Sequence, residues 1–180
     1  LDQKKLDQQS QYWEASFSNN AEMFGLEPST AAIKALKKFK AENITSIIEL
    51  GAGLGRDTIF FAKSLIKVYA LDYSKASIES IKNKSKELNI EELITSQVFD
   101  IRKKLPFENN SIDGCFSHML YCMALSNSDL KNLNDEIFRI LKPGGINIYT
   151  VRHTGDEDYK NGIHRGEDLY ENDGFIVHFF

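Results

Sequence analysis

Four positions place chemically useful groups where an apolar run stops: the turn Gly51-Ala52-Gly53-Leu54-Gly55, then Asp72, Asp100 and His118. Glycines bare the backbone where the chain must bend sharply and a ligand must come close. A carboxylate offers two acceptor oxygens, and an imidazole can take or give a proton near neutral pH. Glu49 adds another carboxylate just before the turn. These are means of holding a polar ligand against strand ends. No Ser-His-Asp or Cys-His pattern for nucleophilic catalysis accompanies them.

The elements that must position these groups follow from the apolar pattern. Ile44, Ile47, Ile48 and Leu50 form a β-branched run suited to a strand covered on both faces. From Arg56 onward Ile59, Phe60, Phe61, Ala62 and Leu65 resume at helical density, so the turn aims helix N–H groups at whatever lies above it. Residues 67–72 make a second strand ending at Asp72, and Ser74 is placed to cap the next helix, which carries Ile78, Ile81 and Leu88. Residues 94–99 make a third strand before Asp100. Residues 112–117 make a fourth, ending at His118. A helix over about 128–141 shows Leu130, Leu133, Ile137 and Ile140. Pro143-Gly144-Gly145 then breaks the chain before a fifth strand over 146–151.

This alternation predicts an α/β fold with a doubly wound, mainly parallel sheet. In such a sheet ligands bind beyond the carboxyl ends of the strands, where the four groups lie. Upstream, Pro28-Ser29 opens a helix to about Ala41 with Ile33, Leu36 and Phe39 on its inward face. Residues 1–20 read as a short helix with Tyr12, Trp13 and Phe17 in a stripe, serving either to dock on the core or to cover the site. Residues 153–174 are polar and glycine-punctuated, and residues 175–180 are strand-like again.

A chain of 180 residues is one domain's worth. It divides into an N-terminal helical cap (1–27), a ligand-binding core (44–151) and a substrate-side segment (152–180). Its net charge of −4 and scattered lysines disfavour a nucleic-acid partner. No apolar run approaches the ~18 residues of a membrane span, and the polar start is no signal peptide. Cys115 and Cys122 read as reduced structural thiols, which suits a cytoplasmic setting. His153, His164 and His178 with Asp156, Glu157, Asp158, Glu167 and Asp168 match no compact metal-ligand spacing. Arg152, His153, His164 and Arg165 are instead expected to wall a pocket that takes an anionic or polar ligand.

The glycine spacing is G-x-G-x-G. A dinucleotide fingerprint, G-x-G-x-x-G, needs glycine where Arg56 stands. Glu49-Leu50-Gly51-Ala52-Gly53-Leu54-Gly55 resembles the first motif of the class I S-adenosylmethionine-dependent methyltransferases. Asp72 and Asp100 resemble the acidic residues after that family's second and third strands, and Leu141-Lys142-Pro143-Gly144-Gly145 its turn before strand five. The resemblance spans residues 44–151, and Arg56-Asp57-Thr58 looks most like the small-molecule branch.

The resemblance implies a Rossmann-like sheet of order 3-2-1-4-5, with the family's C-terminal strand hairpin absent or truncated. The chain stops at Phe180, so it is either a fragment or a short version, and residues 175–180 are expected to cover strand five, pair with another chain or await further residues. The implied cofactor is S-adenosyl-L-methionine, leaving S-adenosyl-L-homocysteine. Asp72 would accept from its ribose, Tyr73 flank its adenine, and Asp100 with the Ile101 N–H bind the adenine edge. Glu49, Gly51, Ala52, Gly53, Gly55, Arg56 and Ser74 would surround the rest, with His118, Met119 and Leu120 lining the passage to substrate. Tyr12, Trp13 and Tyr121 join Arg152, His153, His164 and Arg165 as substrate-side candidates. The implied reaction is in-line methyl transfer to a small molecule by a monomer or homodimer, with His118 the candidate base if one is used. An NAD-dependent oxidoreductase, against which Arg56 argues, and a non-catalytic S-adenosylmethionine-binding protein are the alternatives.

Overall fold

The computed structural model describes residues 3–180, so the first two residues of the predicted opening helix lie outside the described residues. Helix α1 (Gln3–Asn19) is a full 17 residues rather than short, and α2 (Thr30–Ala41) starts where Ser29 accepts the Ala32 N–H. Then follow β1 (Ser46–Leu50), α3 (Arg56–Lys63), β2 (Lys67–Asp72) and α4 (Lys75–Glu87), the last capped by Ser74 as predicted. Strands β3 (Ile94–Val98) and β4 (Ile112–Ser117) precede α5 (Asn127–Ile140) and β5 (Leu141–Tyr149). A capping box between Ser126 and Asp129 opens α5.

The five strands form a parallel sheet of order β3-β2-β1-β4-β5. Alternate residues of the central strands feed two cores. Ile47, Val68 and Phe116 pack with Phe39 of α2, Phe61 of α3 and Ile81 of α4. Ile48, Leu71 and Cys115 pack with Leu130, Leu133 and Ile137 of α5. Helices on both faces leave the strand ends as the place where polar groups meet a ligand.

Four expectations are corrected. Ile33 is 40% exposed, because the inward stripe of α2 at i, i+3, i+4, i+7 is Ala32, Ala35, Leu36 and Phe39 and Ile33 falls beside it. Leu65 is not part of α3; it sits in a left-handed turn (φ 65°) after the helix and is 79% exposed. Pro143-Gly144-Gly145 does not interrupt the chain before β5 but is absorbed in it as a bulge, where the pairing steps from Ile112↔Leu141 to Gly114↔Ile146.

The fourth correction concerns the C-terminal segment. It forms its own antiparallel sheet of β6 (Ile163–Gly166), β7 (Leu169–Asn172) and β8 (Phe175–His178). Strand β8 pairs with β7 rather than covering β5, and an isolated bridge, Arg152↔Phe179, links it to the chain leaving β5. The β7–β8 turn is Asp173-Gly174 with both φ angles positive (50° and 81°), the sense of a two-residue type I′ hairpin.

Candidate ligand-binding site

The glycine turn is fastened to the end of β2. Gly51 and Ala52 both donate their N–H to Leu71 O (2.9 and 3.1 Å), and Gly53 donates to Asp72 Oδ2 at 2.8 Å. The other carboxylate oxygen of Asp72 accepts the Ser74 N–H at 2.9 Å. Gly51 has φ 68°, and a Cβ there would stand 2.9 Å from Leu120 Cδ1. At that φ a side chain would be strained, and Leu120 would have to shift to admit one.

The turn floors a cavity of about 180 Å³ at the carboxyl ends of β1, β2 and β4. Of the predicted residues, Trp13, Glu49, Gly51, Ala52, Gly53, Arg56, Asp72, Tyr73, Ile101, His118 and Met119 line it. Leu120, read beside them, lines it too, as does Phe17 of the aromatic stripe. Leu54 and Asp57, read within the motif stretch, also line it, and Phe24, Gly25, Phe99 and Met123 complete the wall without having been proposed as site residues from the sequence. Phe24-Gly25 was the one legible signal, a large ring followed by glycine between two helices.

Burial governs the charges in this cavity. It pushes the Asp72 carboxyl up from its ordinary 3.8 to about 6, against the pull of the Ser74 and Gly53 N–H donors. Glu49 is raised well above the usual carboxylate range, first by burial and then by the neighbouring charge of Asp57; Thr58 Oγ1 donates to its Oε2 at 2.5 Å. Both oxygens of Asp57 are engaged, accepting the Ser29 N–H and O–H at 2.7 Å each, which ties α3 to the start of α2. Arg56 is the sole arginine or lysine among the residues lining the cavity. Its Nη1 donates to Phe24 O at 2.8 Å, and its Nε stands 3.8 Å from Asp57 Oδ1.

Aromatic rings roof the turn. The Trp13 ring lies 5.2 Å from that of Phe17, and Phe24 is 6.3 Å from each. The Phe17 ring tip sits 3.7 Å from where a Gly53 Cβ would be. Tyr12 is turned away and stacks on Phe175 at 5.8 Å. Helix α1 thus both covers the turn and docks on the C-terminal sheet.

A second hollow of about 340 Å³ adjoins the first, sharing Tyr73, Phe99, Ile101, Leu120 and Met123. Asp100 lines this one rather than the main cavity. Its carboxylate is gripped by Arg102, with Nη2 2.7 Å from Oδ2 and Nε 3.0 Å from Oδ1. Burial alone would raise the Asp100 carboxyl, but these bonds hold it below its ordinary value.

Several predicted site residues line neither hollow. Gly55 instead closes the turn against α4, where a Cβ would meet Ile81 Cγ1 at 2.5 Å, and Ser74 is spent on capping α4. Tyr121 is core, stacked on Tyr149 at 4.2 Å and donating to Asn134 Oδ1. The proposed anion-recognising wall does not assemble because its cations are neutralised within their own segment. Arg152 pairs with Asp156 and Asp158, and Arg165 with Glu171. His153 Nδ1 accepts the Gly155 N–H, and His164 Nε2 lies 2.8 Å from Glu167 O with its ring on Tyr170.

His118 stands at the cavity wall with Nδ1 2.8 Å from Thr150 Oγ1, and burial draws its imidazole below the usual value. The next residue, Met119, adopts φ 63° and donates its N–H to the same Thr150 oxygen at 2.8 Å.

A methyltransferase-domain model matches residues 47–145, slightly more than half of the chain. Phosphoethanolamine N-methyltransferase 1 of Triticum aestivum is 39% identical over 103 residues, covering 56% of this chain and 20% of that protein. The protein of the same name in Zea mays is 32% identical over 172 residues, 89% of this chain and 33% of its own length. The chain therefore spans about a fifth to a third of these curated relatives. Among solved structures, phosphoethanolamine N-methyltransferase 1 of Haemonchus contortus, in complex with phosphoethanolamine and S-adenosylhomocysteine, superposes with a TM-score of 0.66 at 17% identity, over 99% of this chain and 38% of that one. By its matching domain, its motifs and the order of its sheet, the chain belongs to the methyltransferase-domain family, the class I S-adenosylmethionine-dependent methyltransferases.

Proposed function

We propose that the chain binds S-adenosylmethionine and directs its methyl group to a small-molecule acceptor. The observation that carries this reading is the buried Asp72 carboxylate held against the Gly53 N–H in the wall of one cavity. The lining also fits the charge of that cofactor. Glu49, Asp57 and Asp72 bring carboxyl groups and Arg56 alone a cation, which suits a positively charged, hydroxyl-bearing ligand and opposes a pyrophosphate.

When bound, S-adenosylmethionine supplies a methyl group activated on a cationic sulfur, so the difficult electrophile belongs to the cofactor. Asp72 would accept from the ribose hydroxyls with lone pairs left after binding Gly53 and Ser74. Ile101 and Asp100, beside the shared rim of the two hollows, would take the adenine edge. Glu49 would face the ammonium end, and Trp13, Phe17 and Met119 would exclude water while the acceptor is held in line. The matched plant relatives are named for a small amine, which supports a small-molecule acceptor here. Two free buried thiols support a cytoplasmic setting, and no helix among the described residues is long and apolar enough to cross a membrane.

Calorimetric titration of the purified chain with S-adenosylhomocysteine and with NAD tests the binding. Saturable binding of the first, lost in Asp72→Ala, is expected; binding of NAD alone would overturn it. Mass-spectrometric detection of a product heavier by one methylene from a metabolite pool supplied with S-adenosylmethionine tests the transfer. Binding without any such product would leave a cofactor-binding protein and remove the enzyme.

A further inference from the structure

Thr150 holds two groups at the cavity wall at once. It is the first residue after β5, and its N–H donates to Ser117 O at 3.1 Å, which fixes it beside the end of β4. From there its Oγ1 lies 2.8 Å from the Met119 amide nitrogen and 2.8 Å from His118 Nδ1. Met119 occupies the left-handed region, φ 63°, where a side-chain-bearing residue is strained and must be held by its surroundings. The Thr150 hydroxyl provides that hold.

A hydroxyl oxygen has one hydrogen and two lone pairs. The Met119 amide can only donate, so it occupies a lone pair. The contact to His118 then has two arrangements. If Nδ1 carries the imidazole hydrogen and donates, the Thr150 oxygen accepts twice and its own hydrogen has no acceptor among the described residues. If the hydroxyl donates to Nδ1, the hydroxyl hydrogen, Nδ1 and the Met119 N–H all have partners, and an oxygen already accepting an amide hydrogen is a stronger donor.

We propose that Thr150 is a positioning residue that fixes His118 as its Nε2–H tautomer, so that His118 presents a hydrogen-bond donor, not a general base, to the ligand cavity. Nε2 has no protein partner among the described residues, and His118 lines the cavity. The charged groups acting on the ring are Asp57 and Arg56, whose effects oppose each other, and burial favours the neutral ring. A neutral imidazole with Nδ1 occupied and Nε2 protonated has no free lone pair with which to take a proton. It binds a carbonyl, carboxylate or hydroxyl oxygen. Resting on the methyltransferase reading, this assigns His118 to recognition of an oxygen on the acceptor or the cofactor. The acceptor must then bring a nucleophile that needs no proton removed by His118, such as an unprotonated amine or a thiolate.

The tautomer is read directly by long-range 15N–1H correlation NMR of the ligand-free chain labelled at histidine, at a pH above the ring's titration, with His118→Gln to assign its signals. The expected spectrum shows a protonated-type Nε2 and an unprotonated-type, hydrogen-bonded Nδ1. A protonated Nδ1 overturns the proposal and restores the base. In Thr150→Val, the Nδ1 resonance should lose its hydrogen-bond shift and the Met119 amide should exchange faster, while Thr150→Ser should restore both. An unchanged Nδ1 in folded Thr150→Val also overturns it, and the wild-type spectrum decides the question alone if that variant fails to fold. A chain with the Nε2–H tautomer that does not bind S-adenosylhomocysteine keeps this assignment and loses the methyltransferase reading.

Discussion

Asp72 Oδ2 accepts the Gly53 N–H at 2.8 Å, so the acid at the end of β2 and the turn after β1 are one rigid unit. The same burial that makes the unit rigid raises the Asp72 carboxyl to about 6. Between its ordinary 3.8 and about 6 the folded chain binds a proton that the unfolded chain has released. The stabilisation from this proton is therefore complete below 3.8 and lost as pH rises through 6. At about 1.4 kcal/mol per pH unit, the cost at neutral pH is roughly 3 kcal/mol. Urea unfolding of the ligand-free chain is expected to show stability falling from pH 4 to pH 7, with a shallower fall in Asp72→Asn; equal slopes in the two proteins would refute the assignment.

Ligand affinity should move in the opposite direction. The ionised carboxylate has the full set of acceptor lone pairs, whereas the protonated acid does not. If only the ionised form binds, apparent affinity follows its population, which changes about tenfold between pH 5 and pH 7 for a group titrating near 6. Calorimetry with S-adenosylhomocysteine is expected to show that strengthening in the wild type and a weak, pH-independent affinity in Asp72→Asn.

Much of this unit was legible beforehand because the signals were local. A β-branched run, a glycine triplet and an acid at the next strand end each depend on a few adjacent residues. What escaped depended on distant neighbours. On α2, Leu36 and Phe39 face the core as read, but Ile33 does not: Ala32 and Ala35 complete that stripe at i, i+3, i+4, i+7, and Ile33 falls beside it. Arg152 and Arg165 looked available to an anion because Asp156, Asp158 and Glu171 were read as bystanders rather than partners. The three-stranded C-terminal sheet was readable in part. Asp173-Gly174 directly ahead of the apolar run Phe175-Ile176-Val177 is a hairpin signal of known turn type, and it was passed over.

Gly55 supports the site from outside it. Its φ is 84°, and an added Cβ would stand 2.5 Å from Ile81 Cγ1 on α4. Gly55→Ala should cost about 1–3 kcal/mol from overpacking and backbone strain together. Ile81→Ala removes the clashing atom at its own cavity cost of about 2–5 kcal/mol. The double variant should be less destabilised than the sum by about 0.5–3 kcal/mol, because only the clash is relieved. Additive denaturation midpoints would mean that the turn relaxes away from α4 and the close packing is not needed.

Gln9 ties α1 to the C-terminal sheet with one side chain. Its Nε2 donates to Gly174 O at 2.7 Å and its Oε1 accepts the Ile176 N–H at 3.1 Å, so the buried amide acts as one peptide unit of a neighbouring strand. Gln9→Leu keeps the volume but leaves both backbone groups without a partner, at about 1–3 kcal/mol. Hydrogen exchange at the Ile176 amide should accelerate in this variant while the β1 amides keep their protection. Unchanged exchange at Ile176 would show that the sheet docks without α1.

Arg102 links the two hollows' rim to the same helix, with Nη1 2.5 Å from Asp7 Oδ1 and Nη2 2.7 Å from Asp100 Oδ2. Asp7 is half exposed, so this pair contributes at most about 1 kcal/mol and is screened by salt. Global unfolding of Asp7→Asn should therefore match the wild type closely. The local consequence is different, since the ion pair ties the first turns of α1 to the loop after β3. Amide protection over residues 4–10 should fall in Asp7→Asn at low ionic strength and converge with the wild type as salt is added. Arg102→Gln should lose that protection too and, in addition, let the Asp100 carboxyl rise toward its ordinary value, which carboxyl 13C shifts would follow. Because that depressed value stabilises the fold only above the unfolded one, Arg102→Gln should also lose less stability than the wild type as pH falls below 4. An Asp100 titration unaffected by Arg102→Gln would place the control of that carboxylate in the backbone of the loop instead.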